Sequence, residues 1–172
     1  MTVLNTPTAP VLVAGGGIGG VAAALALARQ GYAVKVLEQA PQLVEIGAGI
    51  QLGPNAFAAF DALGIGELAR ARAVYTDEMV MHDALDERLV GRIPTGEAFR
   101  QRFGNPYAVI HRADIHTSLL EGAKAHGNIE TLTGTRIERV EQTGDTVTVY
   151  DQHGTAHRGQ ALIGSDGLKP AG

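Results

Sequence analysis

Apolar runs and glycine-rich or polar breaks alternate along the first forty residues. Val11–Ala14 is a short apolar run, residues 15–17 are all glycine, and Val21–Ala28 is apolar on every side of a helix. A second strand-like segment, Val34–Leu37, apolar except for Lys35, follows a short polar stretch that contains Gly31. Four apolar residues suit a strand inside a parallel sheet, and an all-apolar helix suits packing against that sheet. The pattern predicts a βαβ unit whose two strands are adjacent and parallel, joined by a right-handed crossover.

Two other interpretations of this uncharged stretch are disfavoured. Residues 11–28 carry no charge, and about 18 such residues can span a bilayer. The three consecutive glycines, however, fall where a spanning helix needs good helix formers. A signal peptide requires basic residues ahead of its apolar core, and residues 1–10 contain no Lys or Arg.

The remaining chain changes pattern several times. Proline, glycine and apolar spacing predict a loop, three helices, a region of extended segments and three further strands joined by short turns at Thr143-Gly144 and His153-Gly154. In chain order these are Pro41–Gly53 as the loop, Pro54–Leu63 and Ile65–Arg72 as helices, Val74–Ile110 as the extended region, Asp114–His126 as a helix, and Arg136–Gln142, Thr146–Asp151 and His157–Ile163 as strands. The whole predicts a Rossmann-like, three-layer α/β domain with a parallel sheet and a β meander.

Composition narrows the class of protein. The 172 residues, 45% of them hydrophobic, suffice for one domain with a substantial core. With 14 basic and 18 acidic side chains and no basic cluster, the chain is not expected to bind nucleic acid. The absence of cysteine excludes disulfides, thiolate metal sites and a cysteine nucleophile. Lacking a targeting signal or membrane segment, the protein is expected in the cytoplasm.

The glycine turn carries the first chemical signal. Gly15, Gly17 and Gly20 match the G-x-G-x-x-G pattern between a predicted strand and a predicted helix. The first glycine permits a sharp turn, the second allows backbone to approach a pyrophosphate, and the third lets the helix pack closely on the strand. Glu38 follows the second strand, where a carboxylate accepts hydrogen bonds from ribose hydroxyls and repels a 2′-phosphate. A glycine turn that binds no ligand is the alternative.

Two later positions each have a structural and a functional interpretation. Arg112 opens a predicted helix, where the helix dipole disfavours a cation unless an anion lies nearby, although Asp114 offsets part of that effect. It is otherwise an ordinary surface arginine. Asp166 precedes Gly167 after an apolar strand, which is typical of a turn. If that strand belongs to the parallel sheet, its end opens on the ligand crevice and Asp166 can reach a cofactor.

Histidines and acidic residues suggest a competing metal or acid/base site. His111 and His116 are five residues apart, which does not align them on one helix face, and His153 and His157 flank a predicted turn. No matched spacing of ligands supports a metal site, so surface histidines are the preferred interpretation. The acidic residues are interpreted as part of a solvated turn and not as an acid/base pair; they are Asp83, Asp86 and Glu87.

Four segments together resemble a known family. VAGGGIGGVAAALALARQGYAVKVLEQA, GAGIQLGPNA, HRADIHTSLL and LIGSDG, in that order, are similar to the N-terminal half of the class A flavin-dependent aromatic hydroxylases, the salicylate and 3-hydroxybenzoate 6-hydroxylase group in particular. The resemblance covers Val11–Gly167. The first motif is shared by many NAD and FAD proteins, whereas the combination is specific.

The resemblance implies a set of FAD contacts and a reaction. The implied cofactor-binding residues are Gly15, Gly17, Ile18, Gly19 and Gly20 at the pyrophosphate, Glu38 and Gln39 at the adenosine ribose, Ala48, Gly49 and Ile50 near the ribityl chain and flavin, Arg112 by the pyrophosphate and ribityl region, and Asp166 with Gly167 in the family's DG motif. No catalytic residue and no metal ligand is assigned. NADH or NADPH reduces FAD in this family, and molecular oxygen is then used to hydroxylate a small phenolic substrate.

The chain departs from the family after Gly167. The family continues DGxxSxVR, whereas this sequence reads DGLKPAG and lacks the serine and the arginine. We therefore expect residues 1–172 to be an incomplete FAD-binding domain, with residues 74–110 as an excursion toward a mostly missing substrate domain. The alternatives are another FAD oxidoreductase, or a non-catalytic dinucleotide-binding module if 172 residues are the whole gene product. A homo-oligomer is a further expectation.

Overall fold

The structure is a computed structural model that describes residues 9–43 and 47–167. The chain divides into two compact units, one formed by residues 1–45 and 119–172 and the other by residues 46–118. We call them unit 1 and unit 2.

Unit 1 is built on a four-stranded parallel sheet. The strands are β1 (Val11–Ala14), β2 (Val34–Leu37), β8 (Ile129–Leu132) and β12 (Ala161–Gly164), in the order β12-β1-β2-β8. Helix α1 (Ile18–Arg29) connects β1 to β2, and Val11 is in register with Val34. The predicted βαβ unit with adjacent parallel strands is confirmed.

Each face of the parallel sheet is covered by a different layer. Val13 and Val36 point to one face, where they pack with Ala24 of α1. Leu12 and Leu37 point to the other face and pack against Val149. Neighbouring residues of a strand face opposite sides of a sheet, so a sheet covered on both faces favours apolar side chains on both sides of its strands. Strand β1 is apolar throughout, and Lys35, the one charged residue of β2, pairs with Glu130 of β8.

The second covering layer is an antiparallel meander. Its strands β9 (Ile137–Thr143), β10 (Thr146–Asp151) and β11 (Ala156–Gly159) lie in the order β11-β10-β9. Gly144 and Gly154, with φ of 57° and 77°, occupy the two predicted turns. Helix, parallel sheet and meander make unit 1 the expected three-layer α/β fold.

The predicted strand His157–Ile163 is wrong as a single element. The chain forms β11 in the meander and then β12 in the parallel sheet, so it changes sheets at Gly159 and Gln160. A side chain at Gly159 would lie 2.6 Å from both Leu12 Cγ and the carbonyl oxygen of Pro10. The close approach of the two sheets therefore requires glycine at this point, and an apolar run cannot show that it crosses between layers.

Unit 2 contains short helices and two small antiparallel sheets. Its helices are α2 (Pro54–Leu63), α3 (Gly66–Arg72) and α4 (Glu97–Phe103). One sheet contains β3 (Gly49–Leu52), β7 (Ala108–His111) and β4 (Val74–Tyr75), in the order β3-β7-β4. The other sheet pairs β5 (Glu78–His82) with β6 (Leu89–Pro94). Helix α5 (Arg112–Lys124) continues from unit 2 into unit 1. Helix α2 matches its predicted bounds and ends at Gly64, which has a left-handed φ of 76°.

Other sequence predictions missed elements. The predicted loop Pro41–Gly53 contains strand β3, the extended region 74–110 contains helix α4, and β8 was not predicted. None of the helices in the described residues is both long and apolar enough to span a bilayer.

Candidate functional site

Three predicted site segments meet at one edge of the parallel sheet. Gly15 follows β1, Glu38 follows β2, and Ser165 and Asp166 follow β12. These strands are neighbours and run in parallel, so their carboxyl ends lie together. Ligands of open α/β sheets bind outside this edge. The condition attached to Asp166, that its strand belong to the parallel sheet, is met.

The glycine turn packs directly on the segment that carries Asp166. Gly15 has a left-handed φ of 98°, and a side chain there would collide with the carbonyl oxygen of Ser165 and lie 3.0 Å from Asp166 Cα. A side chain at Gly20 would collide with the carbonyl oxygen of Gly15. The fold itself therefore requires glycine at both positions, before any ligand is considered.

At the start of α1, by contrast, backbone conformation does not require Gly17 and packing does not require Gly19. Gly17 is its N-cap with φ −72°, a conformation open to most residues, so conformation does not explain glycine there. The cap makes no side-chain hydrogen bond, and the first turn contains no acidic residue. Gly19 is exposed, and a side chain there would have no protein atom within 4 Å. Backbone amides at such a helix start suit an anion, which fits a pyrophosphate.

Glu38 is held by the backbone around it. Its half-buried carboxylate accepts hydrogen bonds from the N–H of Gly16 at 2.5 Å and of Ala40 at 2.7 Å. A carboxylate oxygen has more than one acceptor site, so each can still accept a hydroxyl hydrogen. The carboxylate is thus fixed beside the glycine turn, whereas the neighbouring Gln39 is exposed.

Gly16 is a site position that sequence reasoning missed. A side chain there would lie 2.5 Å from Leu43 Cδ2 and 3.1 Å from Glu38 Cβ. Glycine at this position therefore allows the Glu38 side chain to approach the turn. The G-x-G-x-x-G pattern treats position 16 as variable, but the run of three glycines was a signal that could have identified it.

The remaining predicted contacts lie in unit 2. Gly49 and Ile50 are in β3, opposite His111 and Ile110 of β7. Arg112 is the first residue of α5, as predicted, and its N–H donates to the carbonyl oxygen of Ala48 at 3.4 Å. The structure therefore brings Ala48 and Arg112 together at one end of this strand pair.

The expectation of surface histidines is wrong for two of them. His116 is 3% exposed and His157 is 9% exposed. His157 Nε2 donates to the buried carboxylate of Asp151 at 3.0 Å, because an ionised carboxylate only accepts. This hydrogen bond, with those from the N–H groups of His153 and Thr155, lowers the pKa of Asp151 to about 2, although burial opposes the shift. The pair ties the meander together.

The acidic segment and the other histidines give no metal centre. Asp83 and Asp86 accept hydrogen bonds from the N–H groups of Leu85 and Arg88 in the turn between β5 and β6, as the turn interpretation requires. Within the described ranges, His, Asp and Glu side chains do not gather in any group of three that could bind a metal ion.

A cavity of about 230 Å³ in unit 2 was not foreseen. Its lining includes Thr76, Asp77, Arg100 and Tyr107. Tyr107 is 8% exposed, and its hydroxyl has no hydrogen-bond partner among the described residues. No sequence motif marks these residues as a group.

The comparison with protein families shows which family of domains the chain belongs to. Residues 8–171 match the FAD binding domain family. The chain belongs to this family. FAD is the cofactor of such a domain, and the residues at the sheet edge fit it, because the glycine turn, the open helix start and Glu38 suit a pyrophosphate joined to a ribose.

Relatives of this FAD-binding chain agree with the resemblance to flavin-dependent hydroxylases. The chain is 76% identical over 165 residues to a 3-hydroxybenzoate 6-hydroxylase of Polaromonas naphthalenivorans (strain CJ2), covering 96% of this chain and 41% of the relative. It is 54% identical over 158 residues to a 3-hydroxybenzoate 6-hydroxylase of Klebsiella oxytoca, covering 92% of this chain and 40% of the relative. The chain thus spans about two fifths of the length of these relatives.

A solved structure shows the same fold. The p-nitrophenol 4-monooxygenase of Pseudomonas putida DLL-E4 superimposes with a TM-score of 0.85 at 24% identity, covering 93% of this chain and 41% of that chain.

Proposed function

We propose that this chain is the FAD-binding part of a monooxygenase that uses NADH or NADPH and molecular oxygen to hydroxylate a phenolic or benzoate-type aromatic compound. The observation that carries the proposal is the meeting of the glycine turn, Glu38 and Asp166 at the carboxyl edge of one parallel sheet. The two relatives described above act, by name, on 3-hydroxybenzoate, which supports the substrate class.

In this proposal, residues of unit 1 bind the adenosine and pyrophosphate parts of FAD. Gly17, Ile18 and Gly19 present the backbone amides of α1 to the pyrophosphate. Glu38 accepts hydrogen bonds from the ribose hydroxyls, with Gln39 beside it. Asp166 and Gly167 contact the cofactor from the adjacent strand end.

Residues of unit 2 are proposed to bind the rest of the cofactor. Ala48, Gly49 and Ile50 contact the ribityl chain and flavin, and Arg112 supplies positive charge for the pyrophosphate region. When bound, FAD supplies the redox and oxygen chemistry, while the protein positions it and excludes water.

The proposed domain organisation keeps residues 74–110 as an excursion toward a substrate domain. Support comes from the β5–β6 hairpin, which exposes apolar side chains on both strands, among them Met81 and Ile93. A two-stranded hairpin is marginally stable by itself. Further strands of a longer parent protein would stabilise it. Cytoplasmic location and assembly into homo-oligomers are likewise proposed for the parent.

The test is product analysis on the protein encoded by the complete reading frame that contains this sequence. With FAD, NADH or NADPH and a panel of phenolic acids, we expect a ring-hydroxylated product in proportion to the nicotinamide oxidised. Hydrogen peroxide without ring hydroxylation would instead indicate another class of FAD oxidoreductase.

The 172-residue chain alone serves as the comparison. Hydroxylation requires a water-excluding cavity around the flavin. The chain matches only 41% of the first relative, so we expect weak FAD binding and peroxide as the product of any NADH oxidation. Hydroxylated product from the chain alone would contradict its assignment as a part of the enzyme.

A further inference from the structure

Gly47 lies against the side chain of Arg112. A Cβ atom placed on Gly47 would be 2.9 Å from Arg112 Cδ and 3.5 Å from both Arg112 Cβ and Nε. Real Cβ atoms essentially never approach another heavy atom within 3.0 Å. The aliphatic part of Arg112 therefore crosses the backbone of Gly47 in space that any other residue would fill.

Strand pairing produces this contact. Gly49 pairs with His111 at the end of the β3–β7 ladder, and the hydrogen bond from the N–H of Arg112 to the carbonyl oxygen of Ala48 extends the pairing by one residue. Gly47, the residue before Ala48, is thereby brought to Arg112. All of these residues belong to unit 2.

Backbone conformation does not account for glycine at position 47. Gly47 has no left-handed φ, unlike Gly64 or Gly104. An alanine could adopt the same backbone conformation. What the position requires is the absence of a side chain, and the atoms that require it belong to Arg112.

We propose that Gly47 is a positioning residue that sets the direction of the Arg112 guanidinium for FAD binding. The proposal rests on the proposed role of Arg112 as a cofactor contact. A methyl group at position 47 rotates the Arg112 side chain away, because a flexible side chain yields more easily than two paired strands. The fold is retained, and the guanidinium no longer points where the negative charge of the cofactor binds.

The first experiment measures FAD affinity by quenching of flavin fluorescence in the purified protein encoded by the complete reading frame. We expect Gly47→Ala to weaken FAD binding about tenfold, the scale of one lost charge-assisted hydrogen bond, with an unchanged melting temperature of the ligand-free protein. The matched control is Gly91→Ala, also in a strand of unit 2, where the new methyl would meet Met81 Cε at an ordinary 3.9 Å. Gly91→Ala should bind FAD like the parent sequence.

A double-mutant cycle separates the possible causes. Gly47→Ala should weaken FAD binding no further in an Arg112→Ala background. Equal weakening in both backgrounds would overturn the proposal, since Gly47 would then act independently of Arg112. Unchanged binding in Gly47→Ala, with weak binding in Arg112→Ala, would also overturn it while leaving the role of Arg112 intact. Unchanged binding in Arg112→Ala would instead contradict the role proposed for Arg112.

Discussion

Glu38 serves the fold and the proposed cofactor site with the same carboxylate. Its hydrogen bonds to the N–H groups of Gly16 and Ala40 fix the end of β2 to the glycine turn. Because both oxygens are already oriented, a ribose would meet acceptors that need little rearrangement. The same negative charge would lie beside the 2′-phosphate of NADPH and would repel it.

Replacing Glu38 should therefore weaken FAD binding and change selectivity. For Glu38→Ala we expect a loss of about 1 to 3 kcal/mol in FAD binding, the cost of losing hydrogen bonds to a charged acceptor. Titration of the original chain with FAD, ADP and NADPH should rank NADPH last, and the variant should reduce that difference. Glu130→Ala, which removes a β8 carboxylate paired with Lys35 at 3.0 Å, is the control and should bind FAD normally. Tighter binding of NADPH than of FAD by the original chain would refute the role of Glu38.

At the scale of elements, the β1–turn–α1 segment distinguishes glycines that the fold needs from glycines that a ligand needs. A side chain at Gly20 would collide with the Gly15 carbonyl oxygen, whereas one at Gly19 would meet open space. The sequence pattern assigned Gly20 to close packing, as the structure shows, but it gave no separate cause for Gly19. Only the structure shows that a side chain at Gly19 would meet no other part of the fold within 4 Å.

The two adjacent glycines should consequently respond differently to alanine. Gly20→Ala should lower the free energy of unfolding by about 1 to 3 kcal/mol through overpacking, and FAD affinity with it. Gly19→Ala should keep or raise stability, because alanine is the better helix former by about 0.5 to 1 kcal/mol. It should still weaken FAD binding if the pyrophosphate approaches the helix start. Chemical denaturation and FAD titration of both variants give the two readouts, and normal FAD affinity in Gly19→Ala would place the pyrophosphate elsewhere.

Elements with a strong local signal were predicted well, whereas strand β3 and the short helix α4 were not. The runs Val11–Ala14 and Val34–Leu37 and the helix Pro54–Leu63 coincide with observed elements, because apolar runs and a proline at the helix start act locally. Strand β3 was predicted as a loop, since its residues are extended by pairing with β7, more than fifty residues later in the chain. The sequence of β3, Gly-Ile-Gln-Leu, carries little strand signal of its own.

At the scale of the whole molecule, the buried Asp151–His157 pair makes part of the folding stability depend on pH. The hydrogen bond from His157 and two backbone N–H groups lower the pKa of Asp151 from 3.8 to about 2. A carboxyl whose pKa is lower in the folded state stabilises the protein above pH 3.8. That contribution is lost progressively as the pH falls from 3.8 to about 2.

Asp151→Asn should remove this contribution. At neutral pH the variant should unfold at a lower denaturant concentration than the original chain, and the difference between the two should shrink as the pH falls through the same window. Denaturant titrations at several pH values measure the effect. The control is Asp145→Asn, in the exposed turn between β9 and β10. This variant should unfold at nearly the same denaturant concentration as the original chain at every pH. A constant difference for Asp151→Asn across the window would show that the pair acts through packing alone.

The sequence by itself determined the βαβ unit, the identity of the glycine turn, the position of Glu38 after β2 and the family resemblance. These depend on local apolar runs and on short motifs, whose physical requirements are met within a few residues. Only the tertiary structure decided that Asp166 lies beside Gly15, that Gly16 must admit Glu38, and that Gly47 lies under Arg112. Each of these contacts joins segments 22 or more residues apart, and the space left for a side chain exists only once sheets and turns have packed together.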